Sequence, residues 1–119
     1  MSDYREAQGF LPLQSATFHI LLALADEDRH GYVIIQDVAE RTGGAIRLSA
    51  GTLYRSIQRM LQDGLIVEPR ERPAREDDDR RRRYYRITSL GEAVARAEAR
   101  RLADLVKMAR ARGLAPERA

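Results

Sequence analysis

Residues 49–66 have the sequence SAGTLYRSIQRMLQDGLI and carry the strongest structural signal in this chain. Ser49 stands where a helix N-cap belongs, because its hydroxyl can accept a hydrogen bond from an unsatisfied backbone N–H. Apolar residues then recur at helical spacing, and Gly64 can end the helix in the left-handed conformation of a Schellman motif. The pattern predicts a capped amphipathic helix whose buried residues are Leu53, Ile57, Met60 and Leu61.

Two extended segments follow this helix on either side of a charged loop. Residues 65–67 are apolar and residues 84–88 alternate, so we expect two antiparallel strands. The loop between them contains two prolines and is too long for a tight hairpin turn. Five of the seven residues at 80–86 are arginine. The hairpin is therefore expected to have a basic tip, preceded by the acidic residues 76–79.

Two further helices are predicted before residue 49 from apolar residues spaced three and four apart. The first starts at Ser15 and is apolar on two sides, which indicates cover by a partner chain. The second starts near His30, and the glycines at 43–44 supply left-handed residues at its end. Residues 46–48 alternate in polarity, which predicts a very short strand.

A long helix is predicted at the C-terminal end. Ser89 and Glu92 have the spacing of a capping box, and we expect the helix to continue to Gly113. The fold class is thus mainly α with a small β-hairpin wing, that is, a winged helix-turn-helix plus a C-terminal dimerisation helix. The predicted organisation is a flexible N-terminal arm over 1–12, a winged-helix domain over 13–88, the dimerisation helix over 89–113 and a tail over 114–119.

Composition narrows the class of protein. A chain of 119 residues is expected to form one small domain. It has no cysteine, which excludes disulfides and thiolate metal sites, and two isolated histidines, His19 and His30, do not make a metal site. We expect no metal and no other cofactor. No segment has about 20 consecutive apolar residues, so we expect a cytoplasmic protein with no membrane partner.

An enzyme is not expected. The chain has no cysteine nucleophile, and no glycine-rich phosphate loop follows a predicted strand. The acidic cluster at 76–79 lies in a loop rather than a cleft. Ser15, Ser49 and Ser89 all have capping explanations.

Four sequence pieces occur in order at sensible spacing: residues 30–32 (HGY), 51–57 (GTLYRSI), 63–66 (DGLI) and 83–88 (RYYRIT) followed by Leu90-Gly91. Together they closely resemble the PadR-like transcriptional regulators, named after the repressor of phenolic acid decarboxylation. The resemblance covers about residues 11–105. It implies a homodimeric winged-helix repressor whose C-terminal helix pairs the subunits and in some members senses a ligand. This chain resembles the short subgroup with a single C-terminal helix.

The polar face of the 49–66 helix is the candidate for base contact, because a winged-helix order places this helix in the major groove of DNA. Thr52, Arg55, Ser56 and Arg59 are expected on the face opposite the buried residues. Arg55 is the best base-edge candidate since arginine can donate twice to guanine, whereas Arg59 is expected at a phosphate. The predicted DNA-contacting residues are Tyr32, Ser49, Gly51, Thr52, Tyr54, Arg55, Arg59, Arg80, Arg81 and Arg82.

Several residues have more than one interpretation. Tyr32 and Tyr54 are explained equally by packing and by phosphate contact. Gly51 is explained by close approach of a phosphate or by tight packing against the preceding helix near Tyr32. His30 is assigned to a turn between helices and His19 to structure. Arg83 and Arg86 are expected to be tied into the strand.

Double-stranded DNA and a second copy of the chain are the expected partners. An unidentified small-molecule effector is a further possibility, although there is no tryptophan and the last helix has no aromatic residue. The alternative function is a winged-helix adaptor that binds protein without DNA; acidic residues on the polar helix face would suit it, and none of the four face residues is acidic. The predicted dimerisation residues are Phe18, Leu22, Val94, Leu102, Leu105, Val106 and Ala109.

Overall fold

The computed structural model describes residues 2–70 and 82–117, with side chains from residue 5 onward. The predicted loop arginines Arg80 and Arg81 and the acidic residues 76–79 lie outside the described residues. The described part of the chain contains helices and short strands. In order they are α1 (Ser2–Gly9), α2 (Ser15–Leu24), β1 (Arg29–His30), α3 (Gly31–Arg41), α4 (Ala50–Gln62), β2 (Ile66–Val67), β3 (Tyr84–Ile87) and α5 (Ser89–Ala111).

The predicted fold class is confirmed. Helices α2, α3 and α4 pack on one another, and α2 also packs on β3 and α5. The sheet has the order β1-β3-β2 and is antiparallel throughout. Ile66 pairs with Ile87 and Val67 with Arg86, as expected for the two arms of a hairpin. The centre of the core is apolar and includes Leu21, Ile34, Leu53, Ile57 and Ile66.

The ends of α4 follow the sequence prediction. Ser49 is its N-cap. At the other end Gly64 has a φ of 78°, and the N–H groups of Gly64 and Leu65 donate to the carbonyls of Leu61 and Met60 at 3.2 and 2.9 Å. This is the hydrogen-bond pattern of a Schellman motif. Both caps are local in sequence, which fixes the length of α4.

The predicted N-cap of α5 is wrong by one residue. Thr88, not Ser89, caps the helix: its Oγ1 accepts a hydrogen bond from the N–H of Gly91 at 3.0 Å. The same hydroxyl lies 2.6 Å from the carbonyl oxygen of Gly64, to which it donates. Thr88 therefore caps α5 while contacting the end of α4, and Ser89 becomes the first helical residue. The capping box expected between Ser89 and Glu92 does not form.

The flexible arm expected over residues 1–12 is also a wrong prediction, because residues 2–9 form α1 and this helix packs on α5. Ala7 is only 1% exposed. The following linker is fixed by a hydrogen bond from the Leu13 N–H to Glu98 Oε2 at 3.3 Å. A short polar helix of this kind depends on a surface that lies far away in sequence.

The short strand expected at 46–48 is replaced by β1. Residues 46–48 are not in a strand; the Thr42 hydroxyl accepts a hydrogen bond from the Ile46 N–H at 3.0 Å and holds the turn. The third strand comes instead from residues 29–30, which pair with residues 84–85. The glycines at the end of α3 behave as predicted, with φ values of 60° and 84° at Gly43 and Gly44.

Helix α5 has a buried beginning and an exposed remainder. Gly91, Val94 and Glu98 are buried, whereas Leu102, Leu105 and Val106 are exposed. Val94 is completely buried in the core of its own chain, so its assignment to a dimer interface is wrong. No helix within residues 2–70 and 82–117 is long and apolar enough to cross a membrane.

Candidate nucleic-acid interface

The first residues of α4 have small side chains, and Ser49 caps the helix. The Ser49 hydroxyl accepts a hydrogen bond from the Thr52 N–H at 3.1 Å and lies 3.1 Å from the Thr52 hydroxyl. Ala50 and Gly51 follow, and both are exposed. A helix N-terminus with small side chains lets a phosphate approach the backbone N–H groups closely. Ser49 and Gly51 therefore lie where the sequence interpretation required them.

Gly51 is not a packing glycine. A β-carbon built on it would lie 3.4 Å from Arg55 Nη1 and 4.0 Å from Ser49 Oγ; apart from its chain neighbours and the backbone of its own helix, no other atom of the described residues comes within 4 Å. The alternative of tight packing against α3 near Tyr32 is therefore wrong. Space remains open above the backbone at this point.

The two faces of α4 differ in chemistry. Leu53, Ile57 and Met60 are buried, while Arg55, Gln58 and Arg59 are exposed. Within the described part of the chain Arg55 makes no hydrogen bond and no ion pair, so its guanidinium is free to bind. The Arg59 side chain is 82% exposed and lies 3.9 Å from Asp63 Oδ2, one helical turn further on.

Thr52 and Ser56 are placed differently from the prediction. Both are half-buried and line a groove of about 560 Å³ between α4 and residues 10–17, together with Arg55 and Arg59. The polar face is therefore rotated relative to the expectation, and its exposed centre contains Gln58. Sequence reasoning missed Gln58, although its spacing of three residues from Arg55 placed it on the same side of the helix.

A second group of predicted residues meets beside α4. Tyr32 and Tyr54, 63% and 50% exposed, line a cleft of about 330 Å³ with Arg82 at the base of the hairpin. The start of α3, the middle of α4 and the hairpin thus contribute one side chain each. Arg82 Nη1 lies 3.4 Å from Nε2 of His30, which is buried at the back of this cleft.

His30 is structural, as expected, but its place is in β1 rather than in a turn. Its ring meets that of Tyr84 edge-on at a centroid distance of 5.4 Å. Burial raises the pKa of Tyr85, and the charge of Glu68 raises it further, so the phenol stays protonated at neutral pH. The Tyr85 phenol therefore adds no negative charge to the cleft.

Two hairpin arginines are tied down as predicted. Arg86 donates from Nε and Nη2 to the carboxylate of Asp28 at distances of 2.9 to 3.2 Å. Arg83 Nη1 lies 3.7 Å from Glu68 Oε1. The Arg86 hydrogen bonds anchor the strand, and the exposed Arg83 pair adds a weaker contact. Arg82 is the residue of the predicted phosphate-binding group that the structure describes.

The predicted dimerisation residues fall into three groups. Val94 belongs to the core, as described above. Phe18, Leu22 and Ala109 are half-buried. Leu102, Leu105 and Val106 are 37%, 46% and 39% exposed and form an apolar surface on the second half of α5.

A buried carboxylate connects α5 to the N-terminal segment and was not foreseen. Glu98 is 2% exposed and accepts hydrogen bonds from Nε and Nη2 of Arg101 at 2.6 and 2.9 Å, besides the one from Leu13. The Arg101 hydrogen bonds lower the pKa of Glu98 against the opposing effect of burial. The spacing of Glu98 and Arg101 permitted an ion pair, but nothing in the sequence indicated its burial. No group of three or more histidine or acidic residues in the described ranges could hold a metal ion.

Helix order, hairpin and exposed polar helix face together define a winged helix-turn-helix protein. Residues 20–97 match the model of the Transcriptional regulator PadR-like family. The chain is 36% identical over 89 residues to the transcriptional regulator Rv3488 of Mycobacterium tuberculosis, covering 75% of this chain and 77% of that protein. The chain belongs to the PadR-like family of transcriptional regulators.

Solved structures agree with this assignment. A PadR family transcription regulator from Clostridium difficile R20291 superposes with a TM-score of 0.67 and 26% identity, covering 82% of this chain and 96% of that one. Bacillus subtilis PadR, whose structure was solved in complex with operator DNA, has a TM-score of 0.60 and 19% identity. That likeness covers 72% of this chain and 47% of the Bacillus protein and concerns the fold.

Proposed function

We propose that this protein is a sequence-specific DNA-binding repressor that acts as a homodimer on an inverted-repeat operator. The observation that carries the proposal is the exposed face of α4, where Arg55 has no partner within the described part of the chain. The structural likeness to Bacillus subtilis PadR, a protein solved with operator DNA, supports the same function.

The proposed docking on DNA follows from the width of the major groove and from the hydrogen-bond donors on and beside α4. The major groove is about 12 Å wide and admits an α-helix. With α4 in the groove, Arg55 is available to a base edge, and the small N-terminus at Ser49 and Gly51 is available to a phosphate. The cleft with Tyr32, Tyr54 and Arg82 lies at one side of α4, where phenol and guanidinium groups can donate to the backbone of the same duplex.

The homodimer is proposed from the apolar surface of α5. Leu102, Leu105 and Val106 are exposed at helical spacing beyond the core of their own chain. Burying such side chains in an interface removes apolar surface from water, which stabilises the dimer by about 25 cal/mol per Å² buried. A two-fold dimer would present two copies of α4 about 34 Å apart, which corresponds to one turn of DNA.

Selection of binding sites from a randomised duplex pool tests the proposal. Purified protein is expected to enrich one inverted repeat whose half-sites are centred about 10 base pairs apart. An enriched pool without a shared sequence would contradict sequence-specific binding, and no enrichment at all would favour the adaptor. Transcription in vitro from a promoter that carries the selected site is expected to fall on addition of protein; a rise would contradict repression.

A further inference from the structure

We propose that Gln58 is a second specificity-determining residue, which selects an adenine next to the guanine contacted by Arg55. This inference rests on the proposed DNA-binding function. It goes beyond that function because it assigns a base to Gln58, which the sequence did not indicate as a DNA contact.

The position of Gln58 follows from which side of α4 is exposed. Gly51, Arg55, Gln58 and Gln62 are all exposed and are spaced three or four residues apart, so they form one stripe along the helix. Thr52 and Ser56 are half-buried, line the groove that residues 10–17 share with α4, and are displaced from that stripe. Gln58 therefore occupies the centre of the surface that would face a major groove.

The neighbouring arginine is less suited to this role. Arg59 lies within 3.9 Å of Asp63, an attraction that draws its guanidinium along the helix toward the C-terminal end. Gln58 makes no hydrogen bond within the described part of the chain, so both the N–H₂ donor and the carbonyl acceptor of its amide are available. A group that donates and accepts at once complements adenine, which presents the N6 donor beside the N7 acceptor.

Spacing places the two contacts on adjacent base pairs. Three residues of an α-helix correspond to about 4.5 Å along its axis, and stacked base pairs are about 3.4 Å apart. Arginine has donors alone and suits the two acceptors of guanine, whereas the glutamine amide does not. Each half-site is therefore expected to contain a guanine and a neighbouring adenine, in contact with Arg55 and Gln58 respectively.

The test measures affinity for every single base-pair variant of the selected operator. The parent protein is expected to prefer adenine at one position by about 5- to 100-fold. In Gln58→Glu the carboxylate can accept from the cytosine N4 amino group but cannot donate to adenine N7, so the preference at that position is expected to shift to cytosine. Gln58→Ala is expected to lose the preference there and to keep it everywhere else.

Gln62→Ala is the matched control. It removes the same kind of side chain from the same stripe, but at the last residue of α4, one helical turn further than Gln58 from the N-terminal part of a recognition helix that contacts base edges. Its base preferences are expected to equal those of the parent. If Gln58→Glu and Gln58→Ala keep the parental preferences at all positions, the inference is overturned while DNA binding stands. If the parent has no base preference, the proposed function fails as well.

Discussion

The phenol oxygen of Tyr54 lies against the backbone of Gly31, where α3 begins. A β-carbon on Gly31 would overlap that oxygen and would come within 3.0 Å of Tyr54 Cζ and 3.1 Å of Leu53 Cδ2. The absence of a side chain at Gly31 is therefore what lets the Tyr54 ring pack across from α4. This contact orients Tyr54 in the cleft, where the residue packs on Gly31 and still stays 50% exposed, so packing and DNA contact are compatible.

Gly31→Ala is expected to displace Tyr54 and to lower the free energy of unfolding by about 1–3 kcal/mol, the usual cost of overpacking. DNA binding is expected to weaken as well. Tyr54→Phe keeps the ring and removes the hydroxyl, so it should fold as the parent does and bind DNA less tightly. Thermal unfolding and DNA titration measure both effects. An unchanged melting temperature for Gly31→Ala would show that Tyr54 moves without cost.

Gly51→Ala should behave in the opposite way. The space above Gly51 accepts a methyl group, and alanine favours a helix over glycine by about 0.5–1 kcal/mol. The variant is expected to be as stable as the parent or slightly more stable. It is expected to bind operator more weakly, because the methyl group keeps a phosphate away from the backbone. Undiminished binding would rule out phosphate contact at the start of α4.

Glu98→Gln tests the link between α5 and the N-terminal segment. Because Arg101 lowers the pKa of Glu98 in the folded chain, the charged carboxylate stabilises the fold at neutral pH. That contribution is lost as the pH falls through the folded-state pKa. The variant should be less stable by about 1–3 kcal/mol at pH 7, and the difference should shrink in acid.

The control for this prediction is Glu92→Gln, since the Glu92 side chain is about half exposed and lies 3.8 Å from Arg96. A surface ion pair contributes less than about 1 kcal/mol. Chemical unfolding at neutral and acidic pH measures both variants. Equal stabilities of Glu98→Gln and the parent at pH 7 would argue against a stabilising role for the buried carboxylate.

Leu102→Asp combined with Val106→Asp should yield a monomer. Both residues are exposed in the single chain, so the fold should persist, while two carboxylates in a dimer interface would be buried without partners. Lys107→Asp adds a carboxylate to the same helix beside the apolar surface and should leave the dimer intact. Sedimentation at micromolar concentration separates the outcomes. A parent chain that sediments as a monomer, with no dimer on DNA, would contradict the proposed assembly.

Local signals in the sequence predicted α4 well, and long-range contacts explain the errors. The Ser49 cap and the Gly64 motif depend on residues within a few positions. Strand β1 is two residues long and exists through its pairing with β3, more than fifty residues away. Helix α1 is stabilised by packing on α5. The polar composition of α1 gives no sign of this contact. Periodicity assigned Val94 to an interface because it cannot distinguish the chain's own core from that of a partner.

The candidate site was predictable in its residue types and less so in its arrangement. Arg55 is exposed as expected, and Arg83 and Arg86 are anchored as expected. The partial burial of Thr52 and Ser56 goes with the groove that residues 10–17 form beside α4, which amphipathic periodicity alone does not specify. The contact of Gly31 with Tyr54 likewise depends on how α3 and α4 cross.

In the proposed complex α4 contacts base edges and the hairpin contacts phosphates. These two roles are tested most directly by comparing Arg55→Ala with Arg82→Ala on operator and on unrelated duplex. Arg55→Ala is expected to lose about 1–3 kcal/mol on operator by relaxing the preference at one base pair, with little change on unrelated DNA. Arg82→Ala is expected to weaken both duplexes alike and to reduce the slope of affinity against salt by about one. If Arg55→Ala weakens both duplexes equally, α4 does not read the operator through Arg55.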